Sequence, residues 1–504
     1  MSVKVYKVTE TADVCRDYRV FVNGAEAELN TARVSAYPFN RRWPGHQRSK
    51  DQTELINFLS LETDGEIELK IKPEFPSTAV RIRPRGVESS AELCADGTIT
   101  VRVSGACQFT VEPYGRSRAL HVFVDPVSNY KIDRASDSLL YFGAGEYDVG
   151  DLYLKSGQTV FIDEGAVVYA TIFGKHVENV RIIGRGILDN SKNIETELFE
   201  ANVSGNDAAI DNVLRYHSIN LVCCKNIEID GITIRDSLVY NVDAMSCENL
   251  HINNIKIIGC WRYNSDGVHF SNCTDCSLTN SFVRTFDDSI CVRGFANYEY
   301  SDFLNEEREE DLSFVCKNVL VKNCVVWNDW GKNLQVGTET FAKEITGVRF
   351  EDCKLIHMTS NALAMWLVDN AVIHDITFKD ILIESDEHML MMKIQDNDDH
   401  VYTDGCDVNN CGFVAGFFVS KHFEYSLIKT EEELGKISGV SIENVNFYAT
   451  QRPSFAFMGD NPNSPCENVT LKNIFWNGER ISRELFASRC TRNGFTSGIE
   501  LVEN

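Results

Sequence analysis

A phrase of about nine residues recurs through most of this chain and constrains its fold more than any other feature. Each copy begins with a polar or small residue and continues with two short runs in which apolar and other residues alternate. Copies begin at Asn179, Asn226, Asn249, Asp275, Asn318, Gly347, Asp375, Gly439 and Asn468. Most neighbouring copies are 23 to 29 residues apart, as from Asn226 to Asn249 and from Asn318 to Gly347. This period predicts the coils of a parallel β-helix, from about residue 177 onward.

In such a solenoid the inward side chains of each coil stack on those of the next and bury a continuous apolar column. The 43 residues from Asp275 to Asn318 indicate a coil with an inserted loop. Five coils carry a cysteine two residues before the repeating position: Cys224, Cys247, Cys273, Cys316 and Cys466. A metal or redox site is one interpretation. A ladder of small buried side chains is the one we prefer.

The first 125 residues have a different pattern. Short alternating runs such as Arg19–Asn23 and Glu66–Ile71 are separated by turn residues, which predicts an N-terminal antiparallel β-sandwich domain. We place the boundary near Asp125–Pro126, so that residues 1–125 form the sandwich and residues 126–504 the β-helix. Asp51 to Leu61 is the best candidate for a short helix.

Charge and cysteine content limit the partners and the compartment. The net charge of −25 argues against nucleic acid and makes a polyanionic substrate less favourable. No apolar run is long enough to span a membrane. An odd count of 17 cysteines, together with an N-terminus that lacks the pattern of a secretory signal, favours reduced thiols in the cytoplasm. A homo-oligomer stays open.

Three aspartates are the strongest candidates for chemistry. Asp266 lies in Asn264-Ser-Asp-Gly267, and about one coil later Asp287 and Asp288 interrupt an otherwise apolar run. A single aspartate in a β-helix often binds backbone amides at a turn. An adjacent pair is costly near a partly buried groove unless function requires it. Neighbouring carboxylates can differ in protonation, so that one donates a proton while another activates water, as glycosidic bond hydrolysis requires.

The chain resembles a known enzyme family from about residue 140 to 480. The motifs that carry the resemblance are Leu152–Val160, Glu164–Val168, Gly184–Asp189, Ile232–Ser237, Asn264–Gly267 and Asp287-Asp288. In this order they are similar to those of the polygalacturonases, glycoside hydrolase family 28. The N-terminal sandwich is similar to that of the dextranase and isopullulanase group, family 49. The resemblance implies an all-β protein, a right-handed parallel β-helix with an N-terminal sandwich, that hydrolyses glycosidic bonds with inversion.

The resemblance also implies roles for the aspartates. Asp287 corresponds to the general acid, whereas Asp266 and Asp288 correspond to the residues that hold the attacking water as general base. Coils stack about 4.8 Å apart. With side-chain splay, the carboxyl groups can reach the roughly 6.5–9.5 Å separation typical of inverting enzymes. No metal or other cofactor is required.

Further residues are candidates for substrate binding. Asn264 shares the motif of the first aspartate, and Tyr240 occupies a position that lines the cleft in the family. His269 faces either the same groove or the next turn. Arg293 matches the place of a family lysine and could contact substrate or tune the aspartates.

Two departures from the family pattern bear on the substrate. The usual Gly-His-Gly corresponds to the stretch Gln335–Thr340, in which Glu339 could bind sugar hydroxyls. The Arg-Ile-Lys that binds a uronate carboxylate aligns with Ala364-Met365-Trp366. Loss of both cations removes the partners of a uronate. Trp366 is either a platform for a neutral sugar ring or a core residue.

Three other segments have open roles. The acidic run Asp302–Asp311 is either solvated surface or a lid over the cleft. Asp396, Asp398, Asp399, Asp404 and Asp407 could bind calcium, although a polar loop is the simpler interpretation. The basic and aromatic segment Pro38–Arg48 could pack across the domain junction or close a groove in a partner subunit.

The sequence thus predicts an inverting glycoside hydrolase that acts on oligosaccharides, with neutral or plant-derived glycans as the expected substrates. Three alternatives stay open: a polysaccharide lyase, an intramolecular glycosyl transferase such as a fructosyl transferase, and a carbohydrate-binding β-helix without activity.

Overall fold

The computed structural model describes residues 2–9, 11–36, 48–77, 79–87, 91–192, 217–294, 314–385, 412–420 and 434–502 of the chain. Nearly every element in these ranges is a strand. Helical structure there comprises a 3-10 turn at Lys50–Gln52 and one helix, α1, at Arg483–Arg489. Within the same ranges, no helix is long and apolar enough to cross a membrane.

The N-terminal part consists of two sheets packed face to face. One sheet contains the strands Val3–Val5, Asn30–Ser35, Thr53–Thr63, Arg81–Arg83, Cys107–Arg116 and Leu120–Pro126. The other contains Tyr18–Val22, Ala25–Ala27, Glu66–Pro73, Ala91–Leu93 and Ile99–Ser104. Apolar side chains of both sheets form one core between them. The predicted antiparallel sandwich is confirmed, except that Thr53–Thr63 and Leu120–Pro126 pair in parallel.

The rest of the described chain is a parallel β-helix whose strands stack in three columns. The first column contains Leu139–Phe142, Thr159–Ile162, Glu178–Gly184, Lys225–Asp230, Glu248–Asn253, Thr274–Thr279, Val315–Lys322, Glu344–Glu351, Val372–Glu384, Lys436–Tyr448, Cys466–Trp476 and Thr496–Val502. The second contains Gly145–Tyr153, Ala166–Lys175, Ile187–Asp189, Thr233–Arg235, Lys256–Ile258, Phe282–Thr285, Val325–Asn328 and Lys354–His357. The third contains Ile219–Val222, Val242–Met245, Val268–Ser271, Ile290–Gly294, Leu334–Thr340, Leu363–Leu367, Ala415–Val419, Phe455–Met458 and Cys490–Arg492. A two-residue strand at Glu479–Arg480 adds an antiparallel edge. The predicted fold class is confirmed.

The repeating polar residue owes its identity to backbone geometry. At this position the chain turns through the left-handed region, with φ between 53° and 64°, which asparagine, aspartate and glycine tolerate best. The turn occurs at Asn179, Asn226, Asn249, Asp275, Asn318, Gly347, Asp375, Gly439, Asn468 and Gly498. Asparagine side chains also bond from coil to coil: Asn249 Nδ2 donates to Asn226 Oδ1 at 2.8 Å. The first residue of each repeat therefore marks one corner of the β-helix.

The five cysteines of the repeat form a buried ladder, as we preferred. All five lie in the apolar core of the β-helix and are at most 1% exposed. Every cysteine that the structure describes is a free thiol.

The helix that we predicted at Asp51–Leu61 is wrong, because Thr53–Thr63 is a strand. Both faces of this strand are buried. Leu59 and Leu61 face the sandwich core, whereas Ile56 and Phe58 face the β-helix. With both faces apolar, the alternation that identifies a strand is lost from the sequence.

The sandwich packs against the outer face of the second column. Ala32, Val34 and Phe123 of the sandwich share an apolar cluster with Phe282 and Trp327 of the β-helix. A buried ion pair crosses the same junction, with 2.5 Å between Lys256 Nζ and Asp125 Oδ1. The turns that lead from the second column to the third lie beside this junction, and they carry the candidate site.

Candidate active site

The three aspartates lie in successive turns between the second and third columns. Asp266 precedes the strand Val268–Ser271, and Asp287 and Asp288 precede Ile290–Gly294. Val268 pairs with Ile290, so the two turns are in register on adjacent coils. Because of this register, the three side chains converge. One carboxylate oxygen from each aspartate lies within 4.8 Å of the other two.

We expected carboxyl groups roughly 6.5–9.5 Å apart from stacked coils. The nearest oxygens of these three groups are closer than that, within 4.8 Å of one another. A water molecule about 2.8 Å from each of two such oxygens still fits between them. The spacing therefore suits a shared water.

Burial and mutual repulsion keep protons on this cluster. Asp266 is 5% exposed and Asp288 is 9% exposed. Burial raises the pKa of Asp266 well above its usual range, and the charges of Asp287 and Asp288 raise it further. Burial and the charge of Asp288 raise the pKa of Asp287 to about 7, against the opposing charge of Lys332. Near neutral pH the cluster thus contains both proton donors and proton acceptors.

Backbone groups hold the adjacent pair in place. The Asn264 N–H donates to Asp287 Oδ2 at 3.2 Å, and the Asp288 N–H donates to Asp287 Oδ1 at 2.9 Å. The Lys332 N–H donates to Asp288 Oδ1 at 2.8 Å. Gly331 permits this approach, because a Cβ there would lie 2.5 Å from the carbonyl carbon of Asp287. Asn264, predicted as a substrate residue, contacts Asp287 through its backbone.

His269 and Tyr240 lie directly behind Asp266. His269 Nε2 is 3.0 Å from Asp266 Oδ2, and its ring stacks on that of Tyr240 with centroids 4.2 Å apart. Burial and the nearby charge of Arg293 lower the pKa of His269 well below its usual range, so the imidazole is neutral. Of the two placements that we left open for His269, the structure shows the one beside the aspartates.

Arg293 lies two residues along the same strand from Cys291, the register partner of His269. Its guanidinium contacts Glu339 Oε2 at 3.1 Å and Asp243 Oδ1 at 3.7 Å. The charge of Arg293 lowers the pKa of Asp266 in opposition to burial. Arg293 and Glu339, both predicted as substrate residues, therefore form an ion pair in the layer behind the aspartates.

Trp366 contacts Lys332, which in turn contacts Asp288. The ammonium of Lys332 lies 4.1 Å from the centre of the Trp366 ring and 3.5 Å from Asp288 Oδ1. The other side of Trp366 packs against Phe418, and the residue is 8% exposed. Trp366 is thus largely buried and also borders the cluster, and its role as a platform for a sugar ring stays a prediction.

The sequence analysis missed three residues of this site. Lys332 lies in a turn with no repeating feature to single it out. Asp243 and His217 pair behind Tyr240, with 3.4 Å between Asp243 Oδ2 and His217 Nδ1. Asp243 could have been identified as a site residue through its register with His269 on the adjacent strand. An acid at this position of a third-column strand lies on the outer face, toward the groove.

The N-terminal part reaches the site through Arg48. Its guanidinium donates to the carbonyl oxygen of Trp261 at 2.9 Å and lies 4.3 Å from the ring centre of Phe286, the residue before Asp287. Arg48 is the one residue of Pro38–Arg48 that the structure describes. Arg48 itself contacts both parts of the chain, and the rest of the segment, residues 38–47, lies outside the described residues.

Two other predicted features lie outside the described residues. They are the acidic run Asp302–Asp311 and the group Asp396, Asp398, Asp399, Asp404 and Asp407.

Comparison with known proteins supports the sequence resemblance. Residues 154–386, which include all three aspartates, match the family model described as Glycosyl hydrolases family 28. No curated protein matches the chain. Among solved structures, Dex49A from Penicillium minioluteum has a TM-score of 0.61 at 12% identity, with 99% of this chain and 95% of that chain covered. A hyperthermoactive exopolygalacturonase from Thermotoga maritima has a TM-score of 0.50 at 15% identity, with 73% and 83% covered. At these identities the two structures show that the chain shares the β-helix fold with them. The match to Dex49A covers the N-terminal region as well.

Proposed function

We propose that this chain, which contains a polygalacturonase-like glycoside hydrolase domain of family 28, hydrolyses neutral oligosaccharides with inversion. The observation that carries the proposal is the convergence of Asp266, Asp287 and Asp288 within 4.8 Å, at the border of buried and open surface. Three carboxyl groups in this arrangement provide a proton donor, a proton acceptor and a position for water.

Asp287 is the general acid. Its pKa of about 7 keeps a proton on it at neutral pH, and that proton passes to the leaving oxygen as the glycosidic bond breaks. Asp288 accepts a proton from the attacking water. The ammonium of Lys332 beside it supplies compensating positive charge.

Asp266 orients the water. Burial and the charges of Asp287 and Asp288 raise its pKa, which favours its protonated form in the free protein. Its Oδ1 is buried and has no hydrogen-bond partner among the described residues, which leaves that atom for the water. Asp266 and Asp288 thus hold one water between them, and direct attack by this water inverts the anomeric centre.

Charge favours a neutral substrate. The described acids around the site are Asp243, Asp266, Asp287, Asp288 and Glu339. Each of the two neighbouring cations already contacts acids: Arg293 contacts Glu339 and Asp243, and Lys332 contacts Asp288. With protons on Asp266 and Asp287, three acids still face two cations there, so the carboxylate of a uronate would add to a net negative charge, at a cost of several kcal/mol.

Buried polar atoms near the cluster suit sugar hydroxyls. Asn241 Oδ1, Asp266 Oδ1, His269 Nδ1 and Gln335 Oε1 are buried and have no partner among the described residues. Each such atom costs roughly 1–3 kcal/mol while it stays unpaired. A bound sugar that donates to or accepts from these atoms recovers that cost, which is a source of affinity for a polar, uncharged ring.

A matched substrate panel tests the proposal. We expect neutral oligosaccharides to release reducing ends, and oligogalacturonates of equal length to react at least about 100-fold more slowly, because like charges cost several kcal/mol at such a site. The assay measures reducing ends and, in parallel, near-ultraviolet absorbance of an unsaturated product. A preference for uronates would contradict the neutral substrate. An unsaturated product would identify a lyase, and sugar transfer without new reducing ends would identify a transferase.

A further inference from the structure

Asp266 belongs to a second cluster, which also contains Cys291, a thiol to which the proposed hydrolysis gives no role. The cluster consists of Asp266, His269 and Cys291, and one oxygen, nitrogen or sulfur ligand atom from each lies within 4.8 Å of the other two. His269 and Cys291 are register partners on adjacent strands of the third column, so the backbone fixes their side chains side by side. All three residues are buried.

A carboxylate, an imidazole and a thiolate are the ligand types that zinc binds in proteins. In a tetrahedral zinc site the ligand atoms lie about 3.5 Å apart, as follows from bond lengths of roughly 2.0–2.3 Å. The ligand atoms here lie within 4.8 Å of one another, so each pair must approach by no more than about 1.3 Å. Asp287 and Asp288 offer a further oxygen, since each has a carboxylate oxygen within 4.8 Å of one on Asp266.

Unpartnered atoms give a second reason to expect a ligand. Asp266 Oδ1 and His269 Nδ1 are buried without a hydrogen-bond partner in the described part of the chain. Buried polar atoms are rarely left unpaired unless a ligand, an ion or a water serves them.

We propose that Asp266, His269 and Cys291 bind a zinc-like divalent cation, and that this cation inhibits the enzyme. Binding forms bonds from the metal to a carboxylate oxygen of Asp266, a ring nitrogen of His269 and Cys291 Sγ. The protons of the Asp266 carboxyl group and of the Cys291 thiol pass to solvent, so the step needs no oxidant or reductant. Inhibition follows because the carboxyl group of Asp266, once it is bound to the cation, can no longer orient the attacking water. The proposal that the cation binds depends on the geometry of the cluster alone. The proposal that it inhibits also rests on the proposed function.

Cobalt serves as the probe for binding. The full chain, treated with a chelator and desalted under reducing conditions, is titrated with Co²⁺. We expect an absorption band of thiolate-to-cobalt charge transfer that Zn²⁺ abolishes by displacement. Cys291→Ser should lose this band, whereas Cys94→Ser, which alters a half-buried thiol in the sandwich, should keep it. A band of equal strength in wild type and Cys291→Ser, or no band in wild type, would overturn the site. This readout does not depend on hydrolysis, so it separates failure of the metal site from failure of the proposed function.

Inhibition is measured on a neutral oligosaccharide that the chain hydrolyses. We expect Zn²⁺ to inhibit wild type, EDTA to restore the rate, and Cys291→Ser to need at least about tenfold more Zn²⁺ for the same inhibition. Without metal, Cys291→Ser should keep the wild-type rate. Cys291→Ala, compared by circular dichroism, serves as a second variant if the serine disturbs folding. Equal inhibition by Zn²⁺ in wild type and variant, or equal inhibition by Mg²⁺ and Ca²⁺, would overturn the proposal, because the three aspartates would then suffice.

Discussion

Asp287→Asn should lower kcat for an oligosaccharide by about 10³-fold, because the amide cannot supply the proton that the leaving oxygen needs. The side chain keeps its size, and its one oxygen can keep one of the two hydrogen bonds that Asp287 accepts from the N–H groups of Asn264 and Asp288. Loss of the other bond bears on stability, whereas loss of the acidic proton bears on kcat. Steady-state kinetics of the wild type and the variant on the same neutral substrate measure it.

A leaving group that needs no proton identifies the role. With an activated aryl glycoside of the same sugar, Asp287→Asn should lose much less activity than it loses with the oligosaccharide. Asp288→Asn should lose activity on both substrates, because the attacking water needs its base in either case. If Asp287→Asn is equally impaired on both substrates, or keeps near-normal turnover on the oligosaccharide, Asp287 is not the general acid.

Stability provides a control for folding in this variant. In the folded protein the pKa of Asp287 is about 7, above the roughly 3.9 of an unfolded aspartate, so folding favours the protonated form. Wild type therefore loses stability as pH rises from about 4 to about 7. Asparagine carries no charge and removes this loss. The variant should melt at a higher temperature than wild type at pH 8, with the difference shrinking toward pH 4.

The pH dependence of wild type is the second large effect. Because the acid must carry its proton, kcat/KM for an oligosaccharide should fall about tenfold for each pH unit above about 7, or about 100-fold by pH 9. The apparent pKa belongs to the whole cluster, since Asp266, Asp287 and Asp288 influence one another.

The aryl glycoside again separates the causes. Its hydrolysis does not need the acid, so the fall above pH 7 should be much shallower with this substrate. An oligosaccharide profile that stays flat to pH 9 would show that no group of pKa near 7 donates the proton. Enzyme preincubated at pH 9 and assayed at pH 6 controls for denaturation.

The fold could be predicted because its signal repeats. A left-handed corner that favours asparagine, aspartate or glycine recurs in coil after coil, as at Asn226 and Asn249, and the apolar alternation after it recurs as well. Thr53–Thr63 shows where this reasoning fails. The strand occurs once and is buried on both faces by two different domains, so its sequence lacks the alternation that would identify it.

The site could be predicted in part for a related reason. Asp266 and the pair Asp287-Asp288 are unusual in their own local sequences, and the period of the coils places them on adjacent turns. Their close approach could not be predicted, because it depends on how side chains lean within one turn. Lys332 reaches Asp288 from a turn of irregular sequence, and Arg48 comes from the other domain to pack on Phe286. Such contacts follow from tertiary packing, which no local pattern encodes.

The close approach of the carboxyl groups makes the stereochemistry of hydrolysis the decisive question, since pairs about 5–5.5 Å apart are typical of retaining enzymes. Proton NMR of a neutral oligosaccharide, recorded from the first minutes of hydrolysis, shows which anomer is released before mutarotation. If water attacks directly between Asp266 and Asp288, the first anomer has the configuration opposite to that of the cleaved bond. Release of the same configuration would mean that a carboxylate attacks first, and it would contradict the mechanism proposed for these three aspartates.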